Sequence, residues 1–144
     1  MIGAHQKRDI ESITVGEQLP RFTVLLTLQR VVMEAAANRD FAPIHFDAEA
    51  ARASGAPGVY VNTTFIETLL ESLLRSWAGL SARIRMIEFA MTSFNCVGDE
   101  IAAAGEVTAT DLADAVPCAS LAVWVDGPRG RTVTGAALVA FPRT

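Results

Sequence analysis

The chain has 144 residues, 51% of them hydrophobic and 19% charged, with a formal net charge of −4, long enough for one domain with a sizeable core. Lys7 is the only lysine and no basic block occurs, which argues against a nucleic-acid partner, and no apolar run is long enough to cross a bilayer. Cys96 and Cys118 lie far apart without a CxxC or Cys-His cluster, so they read as buried thiols rather than zinc ligands or a disulfide, and no metal is expected.

Met1 to Arg8 lacks the apolar segment of a secretory signal, which makes the cytoplasm the expected compartment and His5 an exposed residue without a role. Phe22 to Leu26 predicts a first strand. Gln29 to Asn38 predicts a short helix, with Val31, Val32 and Ala35 at helical spacing. Next comes Asp40-Phe41-Ala42-Pro43-Ile44-His45, a carboxylate and an imidazole five residues apart around a proline. That spacing does not put the two on one helical face, and Pro43 biases Ala42 away from helical geometry, so the pair belongs to a loop or helix terminus. Held in a rigid turn, Asp40 and His45 can share one water and move its protons, as adding water to a carbon-carbon double bond requires. Taken alone, the string also fits an Asp helix cap beside a loop histidine.

Phe46 to Gly55 predicts a short amphipathic helix with Asp47 as its cap and Gly55 as its stop. After a turn through Ala56-Pro57-Gly58, a long helix spans Asn62 to Ala78. Phe65, Ile66, Leu69, Leu70, Leu73, Leu74 and Trp77 make a wide apolar stripe on it, mostly buried. Glu67, Glu71 and Arg75 fall on another face, where Glu71 and Arg75 have the favourable order for an ion pair. Asn62 reads first as the cap of this helix, with orientation of His45 or a water as the other use of its amide.

Beyond Gly79 the period becomes two. Ile87, Phe89 and Met91 form one phase while Ile84 and Met86 sit in the other, so a bulge is expected near Met86 or Ile87. Arg83 and Arg85, two apart, would share one strand face. Asn95 to Asp99 predicts a turn with Gly98, Ile101 to Ala109 a strand, and Asp111 to Asp114 another turn. Cys118 to Val125 and Thr132 to Phe141 then pair across the hairpin signal Asp126-Gly127-Pro128-Arg129-Gly130. Trp77, Phe89, Phe94 and Trp124 are expected in the core or a subunit contact. A long buried helix followed by an antiparallel meander calls for an α+β architecture, a sheet wrapping a helix, in one domain over residues 1–144.

The run from Asp40 through Pro43, Ile44 and His45 to Val61-Asn62-Thr63 resembles the MaoC-like, R-specific enoyl-CoA hydratases of the hotdog superfamily. Their signature is Asp-x-Asn-Pro-aliphatic-His, a short helix, then Val-His-Gly at the start of the central helix. The likeness covers roughly Phe22 to Val107. Ala42 stands where the family has Asn, and Asn62-Thr63 where it has His-Gly. The resemblance implies a hotdog fold and an acyl-CoA substrate with no separate cofactor. It implies Asp40 and His45 as the catalytic pair, and the Thr63 N-H as the oxyanion donor, with Cβ crowding that Gly would not bring. Tyr60 would line the acyl tunnel or simply pack, and Arg83 and Arg85 would hold CoA phosphates or form a solvated strand edge. With Arg39 and Trp77-Ala78-Gly79 included, the string looks closest to the small catalytic subunit of heteromeric dehydratases of steroid side-chain CoA thioesters. The expected partner is therefore a second copy or a related hotdog subunit. Two other readings stay open: a hotdog thioesterase using Glu67 or Glu71, and a non-catalytic hotdog subunit.

Overall fold

The computed structural model describes residues 8–143; His5 and Lys7 lie outside the described residues. The five strands described are β1 (Phe22–Leu25), β2 (Arg83–Met91), β3 (Glu100–Asp111), β4 (Cys118–Gly127) and β5 (Gly130–Ala140). They form one antiparallel sheet in the order β1-β3-β4-β5-β2. The helices are α1 (Leu28–Ala37), α2 (Ala48–Ala53) and α3 (Thr63–Ala78).

The sheet curls around α3 because both surfaces are apolar. Phe65, Ile66, Leu69, Leu70, Leu73, Leu74 and Trp77 of the helix are buried against Ile101, Ala103, Val107, Leu121, Val123, Val125, Val133, Ala137 and Val139 of β3 to β5. Alternate residues along those strands face the helix, as a pleat with one covered face dictates. At Gly135 of β5 a Cβ would stand 2.2 Å from the Glu88 carbonyl oxygen of β2. Only a residue without one fits at that approach.

Element boundaries follow local chemistry. Asp47 caps α2 by accepting from the Glu49 and Ala50 N-H groups. The chain leaves through Gly55 at φ 95°, with its N-H on the Arg52 carbonyl and the Ala56 N-H on the Ala51 carbonyl, a Schellman stop that favours glycine. Cys96 and Cys118 are free and buried, and Glu71 meets Arg75 at 3.4 Å.

One expectation needs correction. The first strand ends at Leu25: the Leu26 N-H still reaches the Asp99 carbonyl opposite it, but the Leu26 carbonyl is taken by the Gly98 N-H while the Asp99 N-H turns back to the Cys96 carbonyl. The β2 bulge expected near Met86 lies directly before it, at Arg85, between Ile84 opposite Val139 and Met86 opposite Leu138. That extra residue lets Ile84 join Ile87, Phe89 and Met91 against the core and turns Met86 outward, 38% exposed.

Candidate active site

The backbone delivers Asp40 to its place. α1 ends with Arg39 at φ 56°, its N-H on the Ala36 carbonyl (3.0 Å) and the Asp40 N-H on the Ala35 carbonyl (2.9 Å). This is the same Schellman stop as in α2, made with an arginine in the left-handed region at a cost of about 1 kcal/mol. Asp40 then folds back so that Oδ1 accepts from the Ala42 N-H at 3.3 Å. Ala42 is extended, as the residue before a proline prefers. Pro43 opens a 3-10 turn, Pro43–His45, closed by the His45 N-H on the Ala42 carbonyl and the Asp47 N-H on the Pro43 carbonyl. The turn is held by main-chain groups and the Asp40 side chain, with no side-chain amide at position 42.

His45 is 4% exposed. Its Nδ1 lies 2.7 Å from the Tyr60 carbonyl oxygen. A carbonyl only accepts, so Nδ1 carries a hydrogen and donates it. Nε2 points at Asp40 Oδ2, 3.2 Å away. The receiving carbonyl is itself fixed: Tyr60 pairs with Cys96 in a short antiparallel bridge, flanked by the Val61 N-H on the Asn95 carbonyl and the Val97 N-H on the Val59 carbonyl. Around it, the Tyr60 ring stands edge-on to His45 with centroids 5.4 Å apart, and Phe94 leans on Tyr60 at 4.9 Å.

Asn62 caps the helix as expected, and its amide goes to Asp40 rather than to His45 or a water. Its Oδ1 accepts from the Phe65 N-H at 2.9 Å, capping α3, and its Nδ2 donates to Asp40 Oδ2 at 3.0 Å. That amide is the main reason the Asp40 carboxyl sits below its ordinary value; the Ala42 N-H and the imidazole act the same way, against partial desolvation. Thr63 begins α3 and is exposed. Among the described residues its N-H bonds to no other loop or turn, as for the donors left over at a helix start, where the dipole is positive.

Asp40, His45, Asn62, Tyr60 and Thr63 thus converge at one end of α3. Arg83 and Arg85 do not. They are exposed on the edge strand that follows the other end of a helix about 24 Å long. Glu67 and Glu71 are exposed along α3, outside the cluster. Two neighbours lie outside the site residues named from the sequence. Phe94, expected in the core or a subunit contact, is half-buried and packs on the Tyr60 ring. Glu34 of α1 lies within electrostatic reach of both His45 and Asp40, and its only sequence trace is an i, i+4 spacing to Asn38. Among the described residues, no group of three or more His, Cys, Asp or Glu side chains is placed to hold a metal ion.

No protein-family model matches the chain. The chain is 32% identical over 97 residues, 67% of its length and 75% of the relative's, to the 3-oxo-4,17-pregnadiene-20-carboxyl-CoA hydratase beta subunit of Mycobacterium tuberculosis. Its fold matches a chain of the ChsH1-ChsH2 complex of the same organism, with a TM-score of 0.82 and 28% identity, covering 89% of this chain and 98% of that one. It also matches an (R)-hydratase of A. caviae involved in PHA biosynthesis, at 0.80 and 27%, covering 92% and 99%. A MaoC-like dehydratase of Rhodospirillum rubrum shares the fold at 0.77 and 20% identity, covering 93% and 97%.

Proposed function

The chain belongs to the MaoC-like hydratase family of hotdog proteins, and on that premise we propose that it is the catalytic subunit of an enoyl-CoA hydratase. The reaction is the reversible addition of water to a trans-2-enoyl-CoA, giving a 3-hydroxyacyl-CoA. The observation that carries this reading is the arrangement of His45: Nδ1 committed to the Tyr60 carbonyl, Nε2 facing an Asp40 that Asn62 keeps ionised.

An unprotonated Nε2 and a carboxylate 3.2 Å apart would face each other as two acceptors. The pair is therefore satisfied with a proton on Nε2, or with a water inserted between the two groups. In the hydration direction Asp40 takes a proton from the water as its oxygen bonds to the β-carbon. His45 gives its Nε2 proton to the α-carbon, so the double bond becomes H-C-C-OH. Asp40 then returns its proton to His45 across the same short gap, and dehydration runs the steps backwards. The Thr63 N-H and the start of α3 would receive the negative charge that develops on the thioester oxygen.

The identity to a subunit of a steroid side-chain CoA hydratase supports a bulky or steroid side-chain acyl group and a second hotdog subunit as partner. The thioesterase reading is less well supported, because Glu67 and Glu71 are solvated and Glu71 is paired with Arg75. The test is the loss of enoyl-thioester ultraviolet absorbance across substrates from crotonyl-CoA to a steroid side-chain enoyl-CoA, assayed with the co-purifying subunit present. Turnover is expected on the bulky substrate. Free thiol release without hydration would overturn the reading.

A further inference from the structure

Among the described residues five polar or charged side chains are buried: His45, Asn62, Asn95, Asp99 and Thr132. The first two belong to the site already described. The other three take no part in the reaction, yet they lie directly behind it. Asn95 and Asp99 sit on the connection between β2 and β3, and Thr132 sits on β5. Thr132 Oγ1 donates to Asn95 Oδ1 at 2.7 Å, with the Val125 carbonyl farther off at 3.3 Å. Asp99 Oδ2 accepts the Cys96 N-H at 2.9 Å, while Arg129 from the β4-β5 turn holds both Asp99 oxygens. Asn95 Nδ2 is buried and has no hydrogen-bond partner among the described residues. An orphaned N-H and a desolvated ion pair add little to stability over apolar side chains of the same shape. What such a cluster can supply is a fixed geometry.

The segment it grips, Asn95 to Val97, is the one that pairs with Val59 to Val61. The Val61 N-H meets the Asn95 carbonyl at 3.1 Å and the Val97 N-H meets the Val59 carbonyl at 2.8 Å, on either side of the Tyr60 to Cys96 bridge. The Tyr60 carbonyl in turn takes the His45 Nδ1 hydrogen at 2.7 Å. We infer that Asn95, Asp99 and Thr132 are positioning residues for His45: through the Cys96 to Tyr60 bridge they place the carbonyl that anchors the imidazole, and so keep Nε2 turned to Asp40. This deepens the hydratase reading and rests on it only for its catalytic consequence, since the anchoring of the ring is a property of the free protein.

The test separates hydrogen bonding from charge and from shape. Asp99→Asn keeps an oxygen for the Cys96 N-H, whereas Asp99→Leu has a similar shape without one. Thr132→Val removes the hydroxyl at nearly constant shape, and Thr132→Ser restores it. In NMR spectra of the full-length protein the His45 Nδ1-H, buried and donated to a carbonyl, should be an imidazole N-H protected from exchange with water. That exchange should quicken by about tenfold or more in Asp99→Leu and Thr132→Val, as local opening becomes easier. In the hydration assay kcat should fall by about tenfold in the same two variants with KM little changed, the mark of a misplaced group rather than lost binding. Asp99→Asn and Thr132→Ser should stay near wild type in both measurements. An equally protected His45 N-H in Thr132→Val, folded by circular dichroism, overturns the inference whatever the enzyme turns over, and the conservative Thr132 pair decides the matter should Asp99→Leu fail to fold. Loss of protection in the variants without turnover by wild type would leave the anchoring standing and count against the hydratase reading instead.

Discussion

Among the described residues four carboxylates, Glu17, Asp40, Asp99 and Asp126, are held below their ordinary values, and two of them, Asp99 and Asp40, are held in opposite ways. Asp99 is nearly closed off, 11% exposed, with both oxygens gripped by the Arg129 fork at 3.1 and 2.7 Å and a further bond from the Cys96 N-H. Its partners are a permanent cation and a backbone amide, neither of which can give up or accept a proton near neutral pH. Asp40 is 34% exposed, and its partners are an amide, one N-H and an imidazole. The difference teaches that a lowered carboxyl alone marks no active site. The marks are a partner that titrates and an open side from which a substrate can enter. The two are mechanically linked, because the Asp99 cluster fixes Cys96, and Cys96 pairs with the Tyr60 whose carbonyl orients His45.

The largest predicted effect breaks this comparison at its reactive end. Asp40→Asn or His45→Ala should lower turnover by about a hundredfold or more, as for a positioned acid or base. Circular dichroism should show both variants folded, and stopped-flow absorbance measures the loss. At the structural end, Asp99→Asn should cost about 1–3 kcal/mol in urea unfolding, from the lost charge-assisted bonds. Its pH dependence has a definite sign. A carboxyl lowered by folding adds stability that is present above its unfolded value and fades as pH drops through the lower folded one, so Asp99→Asn should flatten the acid end of the stability curve.

Asn62 sharpens the contrast because one side chain serves both stability and chemistry. Asn62→Ala should lose the α3 cap, about 1 kcal/mol, and raise the Asp40 carboxyl, moving the acid limb of kcat/KM to higher pH. Asn62→Ser should recover the stability as a competent cap and leave the acid limb displaced. Equal recovery of both would show that the Asn62 to Asp40 bond is idle. The smallest effect concerns the helix stop. Arg39→Gly should raise stability by about 0.5–1 kcal/mol by relieving the left-handed strain, with the unfolded chain's extra freedom offsetting part of it.

Much of this was legible in the sequence for physical reasons. The stripe from Phe65 to Trp77 has no other use than burial, and Pro43 forces the Asp40 to His45 turn whatever surrounds it. What stayed hidden depends on closure in space. No local pattern could pair Asn62 with Asp40, 22 residues earlier, or reveal that a main-chain carbonyl at Tyr60 selects the His45 tautomer. Glu34 looks like any solvated helical glutamate until α1 is laid against the loop. The alternation in β2 showed that the phase must switch but not that Arg85 is the residue left unpaired.

The most direct test of the central claim places Asp40→Asn and Asp99→Asn side by side in the enoyl-CoA hydration assay, at a temperature where both are folded. The account predicts turnover all but lost in Asp40→Asn and largely kept in Asp99→Asn. Undiminished hydration by Asp40→Asn would contradict it.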